Sequence, residues 1–290
     1  LSKTNIEWAT EVWNPTTGCN KVSQGCKHCY AEVMHNRLLK MKPGKYYIPF
    51  LEGVVTHHDQ LGLPLKWKTP RTVFVNSMSD LFHKDVHFRF IIDVFHIMSK
   101  CPQHTFMILT KRPQRMLEFM TGCTYNPYGS PYDLLPNVWL GVSVEDQAAA
   151  NERIPLLLQV PAAVRFLSCE PLLGPVRIFG FNSPTWGVLP HGIDWVICGG
   201  ESGSKARPMH PQWARSLRDQ CADAGVPFFF KQWGEWWEVD QMPHDATGFL
   251  YKKSLKPDGN YFFKVGKHKA ARLLDGTMHN EFPQAVKEFD

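Results

Sequence analysis

Three cysteines fall within one short stretch, NPTTGCNKVSQGCKHCY (residues 14–30): Cys19, Cys26 and Cys29, spaced C-x6-C-x2-C. Three thiolates at this spacing can hold three corners of an iron–sulfur cube, or three of the four positions on a zinc ion. The next cysteine is Cys101, so no fourth follows at ligand spacing. Such a set leaves one coordination position for a different ligand.

A second set of chemically capable residues recurs farther along, each time just after an apolar run. It comprises Asn76, Ser77, Ser79 and Asp80; Lys111; Ser143 and Glu145; Cys169 and Glu170; Gly199, Gly200 and Glu201; and Lys231. Turns alone favour Gly, Asn and Asp. A carboxylate or lysine at six successive positions (Asp80, Lys111, Glu145, Glu170, Glu201, Lys231) is more than turning requires. Asp80 and Glu145 also suit helix caps or first-turn acids. Gly199-Gly200 would let backbone approach a ligand closely, and equally suits a tight turn. Cys169 and Cys198 read as small buried hydrophobes, or, for Cys169 above all, as a thiol able to give a hydrogen atom to a substrate.

The elements that must position these residues are legible. Apolar runs at 6–13, 72–77, 105–110, 138–143, 164–169, 194–199 and 227–232 read as strands; from the second onward their starts are 33, 33, 26, 30 and 33 residues apart. That is the rhythm of repeated βα units. The runs are apolar almost throughout, as parallel strands covered on both faces are. Helices are expected at 30–40, 86–100, 113–120, 145–159 and 211–224, the last with Pro211 in its first turn and Gly225 just past its end. The expected fold is α/β: a partial (β/α) TIM-like barrel of six to seven parallel strands, with a doubly wound sheet as the competing architecture. Residues 1–233 would form the barrel. Residues 234–290 would form a lid or hairpin packed on it through Trp233, Trp236 and Trp237. Insertions at 41–68, 122–137 and 174–192 would lie near the strand ends, where ligands bind in such folds.

Composition sets looser bounds. The 290 residues carry 32 Lys plus Arg against 27 Asp plus Glu, a net charge of +5, which permits a polyanionic partner without demanding one. Eight cysteines without a recognisable secretory signal point to a reducing cytoplasm. No apolar run approaches the roughly 20 residues that cross a bilayer. The 41–71 stretch interleaves Lys42, Lys45, Lys66, Lys68 and Arg71 with Tyr46, Tyr47, Phe50 and Trp67, and Lys264, Lys267, Lys269 and Arg272 follow near the end. Cations among aromatics are what a nucleic-acid groove uses; the plainer reading is solvated surface.

The chain resembles the phage Gp37/Gp68 family (DUF5131), a radical-SAM-like three-Cys-motif family. The stretches that carry the resemblance include IEWATEVWNPTTGCNKVSQGCKHCYAE, VFVNSMSDLFH, PQHTFMILTKRP, VRFLSCEPLLGP, IDWVICGGESG and GVPFFFKQWG. The resemblance implies a radical S-adenosylmethionine enzyme. Its [4Fe-4S] cluster would be held by Cys19, Cys26 and Cys29, with S-adenosylmethionine on the open iron. One electron, from a donor such as flavodoxin or ferredoxin, would cleave the cofactor and leave a 5′-deoxyadenosyl radical. The commoner superfamily spacing is C-x3-C-x2-C, so the six-residue first interval departs from it. His28 would border the adenine, and Tyr30 would also belong to the cofactor site. Asn76, Ser77, Ser79 and Asp80 would take the amine or ribose, and Lys111 the carboxylate. Ser143, Glu145, Gly199, Gly200 and Glu201 would complete the cofactor site. Cys169, Glu170 and Lys231 would serve catalysis on a nucleic-acid base or nucleotide, in modification or repair. The alternative is a non-catalytic zinc module that binds nucleic acid, its fourth ligand His28, His57 or His58. A hydrolase using Glu145, Glu170 and Glu201 would leave the cysteines unexplained.

Overall fold

The computed structural model describes residues 4, 6–41, 46–122, 134–178, 192–238, 241, 254–255 and 261–284. Lys42 and Lys45, most of the stretches at 122–137 and 174–192, and much of the chain after 238 lie outside them. In order come β1 (Glu11–Trp13), β2 (Thr16–Thr17), α1 (Tyr30–Met41), β3 (Val55–Thr56), β4 (Thr72–Val75), α2 (Phe88–Ser99), β5 (Thr105–Thr110), α3 (Pro113–Gly122) and β6 (Val138–Ser143). There follow α4 (Gln147–Leu157), β7 (Val164–Cys169), β8 (Trp195–Gly199), α5 (Pro211–Ala224) and β9 (Phe228–Gln232). Seven of these strands make one sheet in the order β1-β4-β5-β6-β7-β8-β9. Pairing is parallel at β1/β4, β4/β5, β5/β6 and β8/β9. This is the α/β architecture of a partial (β/α) barrel, as the strand rhythm predicts.

The continuous apolar runs have the expected consequence. All six residues of β6 and all five of β8 are buried. Boundaries shift where local chemistry intervenes. The first run contributes only Glu11–Trp13 as strand. The second ends at Val75, because Asn76 turns into the left-handed region (φ 68°) and starts the next loop. α5 keeps the predicted signals: Pro211 in its first turn, a His210 cap that accepts from the Gln212 N–H, and left-handed Gly225 after its last turn.

The chain divides into two compact units. The first comprises residues up to Ser143 together with Glu152–Phe166; the second comprises Val144–Asn151 together with Leu167–Val286. In the first, α2 buries Phe90, Ile91, Val94 and Met98 on one face, each worth about 1.5–3 kcal/mol. Phe119 of α3 gathers Phe82, Phe88 and Phe95 around it. Buried Asn137 donates to the carbonyls of Met98, Cys101 and His104, each at 3.1 Å, and so pins the turn between α2 and β5. In the second unit, β10 (Trp236–Glu238), β12 (Phe262–Lys264) and β11 (Ser254–Leu255) form a small antiparallel sheet. Trp236 Nε1 of β10 donates to the Ala206 carbonyl, and just after β9 Trp233 Nε1 donates to that of Leu273. Among the described residues no helix is long and apolar enough to cross a membrane.

Candidate metal and cofactor site

β1 delivers the chain into the cysteine loop, and the residues after β4 hold that loop in place. Asn14 Oδ1 accepts from Ser77 Oγ (3.2 Å) and from the Met78 N–H (3.0 Å). Asn76 lies buried against Thr16, donating to its hydroxyl (2.8 Å) and accepting from its N–H (3.3 Å). Ser79 Oγ donates to the Gly18 carbonyl (2.6 Å), and the Gly18 N–H donates to the Met78 carbonyl (3.2 Å). Tyr30, at the start of α1, donates its hydroxyl to the Ser77 carbonyl (2.7 Å). Gly18 itself has φ 87°, and a Cβ there would sit 2.0 Å from the Gly53 carbonyl oxygen, so only glycine fits. The loop therefore reaches Cys19 on a fixed path, with the Cys19 N–H on the Phe50 carbonyl (2.9 Å).

Cys19, Cys26 and Cys29 are free and half-buried. Cys19 and Cys29 lie against one apolar cluster of Ala31, Phe50 and Met78. Ser23 Oγ lies 3.8 Å from Cys26 Sγ. The Arg112 guanidinium places both terminal nitrogens 3.7 Å from Cys19 Sγ. Burial pushes the Cys19 thiol up to about 11, while Arg112 pulls the other way. Arg112 is held in turn by Asp80, whose buried carboxylate accepts from Arg112 Nη1 (2.8 Å), Thr110 Oγ1 (2.7 Å), the Phe82 N–H (3.0 Å) and the Lys111 N–H (3.1 Å). Four donors satisfy a buried charge that would otherwise cost several kcal/mol. Lys111 Nζ donates to Ser143 Oγ (3.0 Å), which joins the ends of β5 and β6. His28 sits half-buried between the last two cysteines.

The second unit carries the other candidates. Glu170 pairs with Lys231, Nζ lying 3.1 Å from Oε1 and 3.3 Å from Oε2. Ser168 Oγ donates to Oε2 at 3.5 Å. Gly199 makes room for this pair: a Cβ there would meet Glu170 Oε1 at 2.5 Å. Gly200 lies against backbone, its missing Cβ 1.9 Å from the Trp233 carbonyl oxygen. Glu201 is clasped by Arg207, which gives it Nε and its backbone N–H at 2.8 Å and Nη2 at 2.6 Å. Glu145 is fully buried. Cys169 and Cys198 are buried too, and burial drives both thiols well above their ordinary value, with neighbouring Glu170 and Cys221 adding to the effect. They stay protonated at neutral pH.

The structure thus joins Tyr30 to Ser77, Asp80 to the Cys19 region, Lys111 to Ser143, and Glu170 to Lys231. Sequence reasoning passed over Asn14, Asn20, Arg112 and Arg207. Arg112 had a signal, as the cation between the β5 end and the proline that opens α3. Among the described residues no three His, Cys, Asp or Glu side chains stand together as a metal-holding group. In kind the cysteine loop does fit an iron–sulfur or zinc site. It offers three free, half-buried thiols within eleven residues, two on the same apolar cluster and one facing a guanidinium. His57, a zinc-ligand alternative, has its Nε2 2.8 Å from Thr17 Oγ1.

The seven-stranded sheet with its alternating helices places the molecule among α/β partial-barrel proteins. The chain belongs to the family described as Protein of unknown function (DUF5131), whose model matches residues 3–283. No curated protein matches it. Among solved structures it is similar to a spore photoproduct lyase variant with bound AdoMet and dinucleoside spore photoproduct: 11% identity, 91% of this chain and 71% of that one, TM-score 0.46. It is also similar to spore photoproduct lyase complexed with dinucleoside spore photoproduct: 10% identity, 86% and 66%, TM-score 0.42.

Proposed function

We propose that the chain is a radical S-adenosylmethionine enzyme acting on a nucleic-acid base or nucleotide. Cys19, Cys26 and Cys29 hold a [4Fe-4S] cluster, and the phage Gp37/Gp68 resemblance belongs to this same reading. The observation that carries it is the loop after β1: three free, half-buried thiols on a path fixed by the residues that follow β4. When bound, the cluster supplies the one electron that cleaves S-adenosylmethionine.

The chain's own residues bind, orient and shield. Asn14, Asn76, Ser77 and Ser79 fix the entry of the cysteine loop. Lys111, its Nζ on Ser143 Oγ, offers a cation to the cofactor's carboxylate. Tyr30, largely exposed and tethered through its hydroxyl, offers a ring face to an adenine. In the second unit Lys231 Nζ pairs with the Glu170 carboxylate. Cys169 keeps its S–H at neutral pH and is the candidate hydrogen-atom donor. The net charge of +5 and the exposed Lys66, Lys68 and Lys269 support a polyanionic substrate.

Anaerobic purification with iron and sulfide analysis tests the reading, followed by assay of 5′-deoxyadenosine release. About four irons and four sulfides per chain, with release that needs a reductant, would support it. One tight zinc, or no metal, would sink it. DNA or RNA binding that weakens as salt rises would support the substrate class; no binding at low salt would remove it.

A further inference from the structure

We propose that Arg112 sets the reduction potential of the cysteine site, held on the Cys19 sulfur by Asp80 as its positioning residue. The inference rests on the ligand role given to Cys19 above, and deepens it.

The geometry is specific. One guanidinium places Nη1 and Nη2 each 3.7 Å from Cys19 Sγ, while Nη1 also bonds Asp80 Oδ2 at 2.8 Å. Nη2 reaches both the carbonyl and the side-chain oxygen of Asn20. Asp80 cannot follow a wandering arginine, because Thr110, Phe82 and Lys111 hold its carboxylate from three other directions. The backbone of Arg112 is fixed as well, its N–H on Thr110 Oγ1 at 2.9 Å with Pro113 opening α3 directly afterwards. The arginine side chain is only 13% exposed, so water screens it little.

A fixed cation on a ligand sulfur has a defined effect. Potentials of iron–sulfur centres depend on net charge and on hydrogen bonds to sulfur. N–H donation draws electron density off the thiolate, and the positive charge stabilises one added electron. The step concerned is uptake of a single electron from an external one-electron reductant; no bond forms or breaks at Arg112. Arg112 therefore raises the potential, so that a weaker reductant suffices. Lysine cannot replace it, because a point ammonium lacks the planar fork that reaches sulfur, Asp80 and Asn20 at once.

The test compares reconstituted wild-type chain with R112Q, R112K and N20A at matched iron and sulfide content. Reduction is titrated with dithionite and followed by EPR. In R112Q the reduction equilibrium should fall about tenfold, which is about 59 mV for one electron. R112K should lie between R112Q and wild type. N20A, an exposed position whose loss frees only one side of the fork, should stay nearest wild type. Equal potentials in R112Q and wild type would overturn the proposal. If R112Q fails to fold, R112K decides, and an unchanged potential there overturns it too. A wild-type chain that takes up no iron overturns both this inference and the proposed function. A wild-type chain that loads, with potentials indifferent to residue 112, overturns this inference alone.

Discussion

The two units use the residues at their strand ends in opposite ways. In the first, the polar side chains after β4 and β5 bond one another and the cysteine loop. Asn76 holds Thr16, Ser79 holds the Gly18 carbonyl, and Asp80 holds Arg112. In the second, charged side chains form simple pairs, Glu170 with Lys231 and Glu201 with Arg207, the first pressed close to Gly199. The thiols differ in parallel. Cys19 is half-buried with a cation on its sulfur; Cys169 and Cys198 are wholly buried with carboxylate neighbours. The lesson is that a polar residue at a strand end has two distinct uses. It can pair with an opposite charge, or it can hold a loop in place.

The largest expected effects break either frame outright. Gly18→Ala puts a methyl into the Gly53 carbonyl at a left-handed position, and Gly200→Ala puts one into the Trp233 carbonyl. Each should cost about 3 kcal/mol or more, read as a lowered urea midpoint. A fall of under about 1 kcal/mol would show that the loops at Gly18 and Gly200 yield to a methyl group.

Next comes the contrast between thiols. Single Cys19, Cys26 and Cys29 to Ser changes should reduce retained iron by more than the roughly 10–100-fold that outer-shell changes cost. Cys169→Ala should load normally and lose turnover. Equal iron loss in Cys169→Ala would erase the distinction between the two units.

A smaller contrast separates building residues from paired ones. Asn76→Ala removes two buried hydrogen bonds at a left-handed position and should destabilise by about 2 kcal/mol. Glu170→Gln breaks an ion pair with some water access and should cost about 1 kcal/mol or less, while lowering turnover. Chemical denaturation and a turnover assay on the same preparations separate the two effects.

The smallest effect is on pH dependence. Burial lowers the folded-state value of His83 and His104 in the first unit and of His279 in the second. The unfolded chain therefore takes up protons near pH 6.5 while the folded one resists. The stability these residues contribute is complete above about pH 6.5 and is lost as pH falls through the lowered folded values. His104→Gln should flatten that slope in a thermal melt series from pH 7.5 to 5.0; an unchanged slope would remove His104 from the account.

Much of this was readable beforehand. The five strands from β5 to β9 fall where the apolar runs lie, since a strand covered on both faces leaves an uninterrupted hydrophobic signature. The capping of α5 was legible because Pro211 and Gly225 act locally. The use of the polar set was not. Asn76 and Thr16 are sixty residues apart, and Arg112 and Cys19 ninety-three, and nothing in either segment announces the other. Residue type showed that Asp80 and Glu201 were charged at strand ends. Only the three-dimensional structure shows that arginines hold both.

The most direct measurement is an EPR spectrum of the anaerobically reduced chain with and without S-adenosylmethionine. The account predicts an iron–sulfur signal in the wild type that changes when the cofactor binds the open iron, and that is absent when Cys26 is serine. A signal indifferent to the cofactor, or its persistence without Cys26, would contradict the assignment of the loop after β1.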